Sequence, residues 1–72
     1  MTQEEKIALI AEVLEIDPTR ITLQTELASL DEWDSMGIIS IIAMLDRKFE
    51  KTLTAEEISS MKFIQDIQNL MM

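Results

Sequence analysis

At 72 residues the chain is one small domain, below the size at which a single apolar core is comfortably large. It contains no cysteine and no histidine, which removes disulfides, thiolate zinc sites, and the commonest general base and metal ligand. A net charge of −8 argues against nucleic acid and anionic membrane surfaces, which need clustered Lys and Arg, and favours a protein partner with a basic docking patch.

Thr2-Gln3-Glu4-Glu5 reads as a capping box, a hydroxyl followed three residues later by a carboxylate. Ile7, Ile10, Ala11 and Leu14 follow at helical spacing, so the first helix is expected to run to about Glu15, where Asp17-Pro18 breaks it. Residues 16–34 form a long connection whose Ile16, Ile21, Leu23, Leu27 and Leu30 imply that it packs by its own side chains. Within it, Arg20-Ile21-Thr22-Leu23 has strand character but no evident partner strand.

The second helix is expected from about Ser35 to Glu50, capped by Asp34 or Ser35. Met36, Ile39, Ile42 with Ala43, Leu45 and Phe49 form its predicted inward stripe, widened by Ile38 and Ile41. Thr54-Ala55-Glu56-Glu57 is a second capping box, opening a short helix to about Ser60 with Ile58 and Met61 inward. The last helix is expected over about Lys62 to Leu70. The expected fold is therefore all-α: a small four-helix bundle, three longer helices and one short, with a long loop between helices 1 and 2, forming a single domain over residues 1–72.

Self-contained catalysis lacks its parts. Ser35 has no histidine to activate it, the single glycine excludes a glycine-rich phosphate loop, and Asp31, Glu32 and Asp34 lack the spacing of a calcium loop. No metal site is expected. The opening MTQEEK lacks the basic start and apolar core of a signal peptide, and no apolar run approaches membrane-spanning length. The expectation is a cytoplasmic protein without membrane insertion. The hydrophobic fraction of 47% is too high for a disordered acidic tail.

Attention falls on Asp34-Ser35. Both residues are favoured helix caps. Yet the pair follows a long loop, stands beside the only tryptophan, Trp33, and precedes more apolar surface, Met36 and Ile38, than one buried face needs. A helix start also favours an attached phosphate, through its free amides and the positive end of the macrodipole. At this point the sequence resembles acyl carrier proteins. The likeness rests on LDEWDSMGIISIIAMLDRKFE, LTAEEISSMKFIQDI and the order of helices, and covers essentially the whole chain.

The resemblance implies that Ser35 accepts 4′-phosphopantetheine from coenzyme A through a separate, magnesium-dependent phosphopantetheinyl transferase, with Asp34 as part of the recognition site. The arm's thiol then brings the sulfur that the chain lacks, and carries an acyl or aminoacyl group as a thioester. The expected protein is a non-enzymatic, stand-alone and monomeric carrier in fatty-acid-like, polyketide or other specialised biosynthesis. Its expected partners are a loading enzyme and a downstream synthase or transferase. A D-alanyl or peptidyl-type carrier is the alternative, since Met36-Gly37 after the serine is similar to D-alanyl carriers. A different class of reading is an unmodified acidic helical adaptor.

The family docks through its second helix. On this chain the residues expected outward are Gly37, Ile38, Ser40, Met44, Arg47 and Lys48, and partner recognition is expected at Asp34, Met36, Ile38 and Met44. This helix lacks the acidic face of fatty-acid carriers, which implies a more hydrophobic, dedicated partner. Lys62-Phe63 stands where the family often has a capping threonine, which predicts a frayed last-helix start, short of a cap worth about 1 kcal/mol.

Overall fold

Thr2 caps the first helix as its spacing predicts. Thr2 Oγ1 accepts the Glu5 N–H at 3.1 Å, and the Glu5 carboxylate accepts the Thr2 N–H at 3.0 Å. The computed structural model describes residues 2–71. Among them are four α-helices, α1 (Gln3–Leu14), α2 (Ser35–Phe49), α3 (Ala55–Ser59) and α4 (Ile64–Gln68). Two 3₁₀ turns, Pro18–Arg20 and Leu27–Ser29, lie between α1 and α2, and no strand occurs among the described residues.

The 16–34 connection is part of the core. Ile16, Ile21 and Leu27 are buried, with Leu23 and Leu30 packed beside them. Asp17 caps the first 3₁₀ turn, accepting the Thr19 N–H at 2.9 Å and its hydroxyl at 2.8 Å. The Arg20–Leu23 stretch is no strand, because threonine hydroxyls take the amides that a ladder would need. Thr22 N–H donates to Thr25 Oγ1 at 2.8 Å, and Gln24 N–H to Thr22 Oγ1 at 3.2 Å.

Helix α2 is rotated from the expected phase. Its buried residues are Gly37, Ile41, Met44 and Leu45, facing Ile10, Ala11 and Leu14 of α1. Met36 and Ile39, expected inward, are 70% and 58% exposed, whereas Met44 and Gly37, expected outward, are buried. Every position from 36 to 45 except Gly37 and Ser40 is apolar, so periodicity alone does not define one face. The phase is decided by packing. Gly37 sits where the chain turns at residues 31–33, and a Cβ there would collide with the Glu32 carbonyl and approach Leu14 Cδ2 to 3.0 Å.

Helix α3 follows its capping box, with Thr54 and Glu57 exchanging hydrogen bonds at 3.1 Å and Ile58 fully buried. Helix α4 is shorter than the expected 62–70, so the bundle has two long and two short helices. Lys62 and Phe63 are instead held against the loop. Leu27 N–H donates to the Lys62 carbonyl at 2.8 Å, and Phe63 pairs with Glu26 in an isolated bridge. At the other end, Leu70 and Met71 N–H reach back only three residues, to Ile67 at 3.0 Å and Gln68 at 2.9 Å, a 3₁₀ tightening.

The expected fraying of α4 is overturned. The first orphan amides, Ile64 and Gln65, donate at 3.1 Å to the Thr25 and Leu23 carbonyls of the loop. Asp66 reaches back to accept the N–H groups of Lys62 and Phe63, both at 3.0 Å. Phenylalanine offers no acceptor, but tertiary backbone contacts and a downstream carboxylate replace the missing threonine.

Candidate functional site

Of the two candidate caps before α2, it is Asp34 that caps. Its backbone is extended (φ −122°, ψ −171°), its Oδ1 accepts the Gly37 N–H at 2.9 Å, and its carbonyl accepts the Ile38 N–H at 2.9 Å. Ser35 is the first helical residue and is exposed. Ser29, Ser59 and Ser60 turn their hydroxyls back onto a carbonyl three residues earlier, at 2.6, 3.1 and 2.8 Å. Among the described residues the Ser35 hydroxyl takes no such bond. The cap and the exposed hydroxyl at the head of α2 are therefore different residues.

Three features shape the surroundings. The N-terminus of the 15-residue α2 lacks the carboxylate that closes the boxes of α1 and α3, because Gly37 stands at that position. Glu32 pairs with Arg20 at 3.4 Å through one oxygen, while its other oxygen, Oε1, is buried without a partner. Met36 and Ile39 present their apolar side chains to solvent on the face beside Ser35, with Ala43 exposed one turn further on.

Of the residues singled out in the sequence, Asp34, Ser35, Met36 and half-buried Ile38 lie together at the head of α2. Met44 is separated from them and belongs to the core, on the wall of a groove between α1 and α2. Met36, Ile39 and Ala43 turn outward and Gly37 and Met44 inward, opposite to the faces expected from the sequence. The signal for Gly37 was available: the only glycine of the chain, in a helix interior where it costs about 1 kcal/mol relative to alanine, marks a close approach of backbone.

This arrangement fits a phosphate ester on Ser35. The hydroxyl is free and exposed, and the helix dipole and first-turn amides favour the negative charge. Residues 7–70 match the family model described as "Phosphopantetheine attachment site". The chain belongs to this family. It is a carrier domain, non-catalytic, that bears covalent 4′-phosphopantetheine and works with a phosphopantetheinyl transferase and client enzymes. Comparison with curated proteins and with solved structures finds no match. Among the described residues no helix of the carrier domain is long and apolar enough to cross a membrane.

Proposed function

We propose that Ser35 is the attachment residue, and that residues 1–72 act as one carrier domain for an acyl or aminoacyl group in a biosynthetic pathway. The observation that carries the assignment is the division of labour at the head of α2: Asp34 occupies the cap and leaves the Ser35 hydroxyl exposed. In the transfer, Ser35 Oγ bonds to the phosphorus that bears the pantetheine of coenzyme A, and the adenosine bisphosphate half leaves. The serine proton passes to a base of the transferase. When bound, the group supplies a thiol that holds the cargo as a thioester.

The chain's own part is to present Ser35 and to offer a surface. Asp34 keeps the first turn wound, and Gly37 lets the 31–33 turn lie against it. Asp34, Met36 and Ile38 are the proposed recognition residues, joined by exposed Ile39. This face carries two large exposed apolar side chains and no acidic one between Ser35 and Leu45, which favours a dedicated client with an apolar pocket over one with a basic patch.

The test is intact-protein mass after incubation with coenzyme A, magnesium and a broad-specificity phosphopantetheinyl transferase. Wild type is expected to gain one phosphopantetheine and Ser35→Ala none, with the same helical circular dichroism. A Ser35→Ala protein that still gains the arm overturns the site. A folded wild type that gains nothing from several transferases favours the adaptor reading.

A further inference from the structure

Of the four methionines among the described residues, one stands apart. Met44 and Met71 are buried in the core and Met61 is half-buried, whereas Met36 is 70% exposed. It follows Ser35 directly in the chain, in the first turn of α2, with exposed Ile39 its neighbour on the helix surface. The core draws little from this thioether, and a leucine would serve the helix as well.

A thioether in that position has a chemistry that leucine lacks. It is a soft nucleophile, open to oxidation by a peroxide. The sulfur lone pair attacks one oxygen of hydrogen peroxide, and the S–O bond forms as the O–O bond breaks. The departing hydroxide takes the proton of the transferred oxygen and leaves as water. The sulfur is oxidised by two electrons and the peroxide is reduced by two. No cysteine in the chain competes for the oxidant. Exposure then sets the order of reaction: Met36 is reached before Met61, and Met61 before Met44 and Met71.

The product is a polar, chiral side chain. At Met44 or Met71 it would unseat the core, but at Met36 it leaves helix and core as they are and changes only the surface that a partner meets. That surface is the apolar patch of Met36 and Ile39 beside the attachment residue. A partner that covers Met36 gains from burying an apolar side chain, and loses that gain to a sulfoxide that must shed its water without a new bond. We propose that Met36 is a site of reversible oxidation by peroxide, and that its sulfoxide slows attachment of the arm to Ser35. The consequence rests on the assignment of Ser35; the site itself does not. Return takes a thiol-dependent methionine sulfoxide reductase, in which two thiols become a disulfide and the sulfoxide oxygen leaves as water.

The test treats the unmodified protein with rising hydrogen peroxide, removes the excess with catalase, and locates the added oxygen by peptide mass mapping. Among the described methionines the first oxygen is expected on Met36, with helical circular dichroism unchanged. For the Met36 sulfoxide, kcat/KM of arm transfer by a broad-specificity phosphopantetheinyl transferase is expected to fall about tenfold, as for one lost apolar contact. Methionine sulfoxide reductase with dithiothreitol is expected to restore it. Met36→Leu, whatever its starting rate, is expected to keep that rate after the same treatment, and Met61→Leu to remain as sensitive as wild type.

Oxygen arriving at Met61 or Met44 as early as at Met36 overturns the site. Met36 sulfoxide with an unchanged rate of arm transfer, or a Met36→Leu protein that slows under peroxide, overturns its effect on Ser35. An untreated wild type that gains no arm overturns the assignment of Ser35 and the consequence drawn from it, while the peptide map still decides the oxidation site.

Discussion

Helices α2 and α4 begin in opposite ways. At α4 every early donor is consumed by the fold: Asp66 takes the amides of Lys62 and Phe63, and the loop carbonyls of Thr25 and Leu23 take those of Ile64 and Gln65. At α2 one carboxylate, Asp34, takes one amide, the third helical position is glycine, and among the described residues the neighbouring hydroxyl has no bond. A helix N-terminus is a reservoir of unpaired donors and positive potential. The fold spends that reservoir on stability at α4 and leaves it open to a phosphate at α2. The Thr2–Glu5 and Thr54–Glu57 boxes of α1 and α3 stand between the two, since each takes one amide on its threonine and a second on its own carboxylate.

The difference can be broken at Gly37. In Gly37→Ala the new methyl meets the Glu32 carbonyl, so the 31–33 turn must move away from α2. The expected loss is about 1–3 kcal/mol in chemical denaturation, as for other overpacked sites, with a slower transfer of the arm to Ser35. Gly37→Ala as stable as wild type would show that the turn does not pack as described.

Asp66→Ala comes next. It strips two amides of their acceptor at once, and the expected cost is about 1–2 kcal/mol, with faster hydrogen exchange at the Lys62 and Phe63 amides. Asp34→Ala removes a single cap bond and is expected to cost about 1 kcal/mol. The sharper contrast is in function. Asp34→Ala is expected to slow phosphopantetheinylation and Asp66→Ala to leave it near wild type, measured as the rate of mass gain.

The smallest effect is acid. The backbone N–H and then the hydroxyl of Thr2 hold the Glu5 carboxyl below the ordinary carboxylate range, and those of Thr19 do the same for Asp17. A carboxylate whose folded value is depressed stabilises fully above its unfolded value and loses that contribution as pH falls through the folded one. As pH falls through these lowered values, below about 4, amide exchange is therefore expected to rise at Thr2 and Thr19, whose N–H groups donate to the two carboxylates. No rise at either amide would contradict these bonds.

Much of the molecule was legible in the chain. Both threonine capping boxes, the Asp17-Pro18 break, the extent of α2 and the packing of the loop's apolar residues follow from the local pattern, because caps and breakers act within three or four residues. The pairing of Asp34 with Ser35 as the place of interest also came from residue order alone.

What the chain did not determine by itself was rotation and ending. Helix α2 is apolar on nearly every side, so no stripe in its sequence distinguishes Met44, which is buried, from Met36 and Ile39, which face solvent. That choice came from the contact of Gly37 with the Glu32 carbonyl and from the facing residues of α1. The start of α4 was likewise set by carbonyls of residues some forty positions earlier, Leu23 and Thr25, which no local pattern around Lys62 and Phe63 records. Local rules choose the elements. Which face turns inward, and which donors remain free for Ser35, are decided only when distant backbone closes around them, since a buried polar group must find its partner wherever the fold brings one.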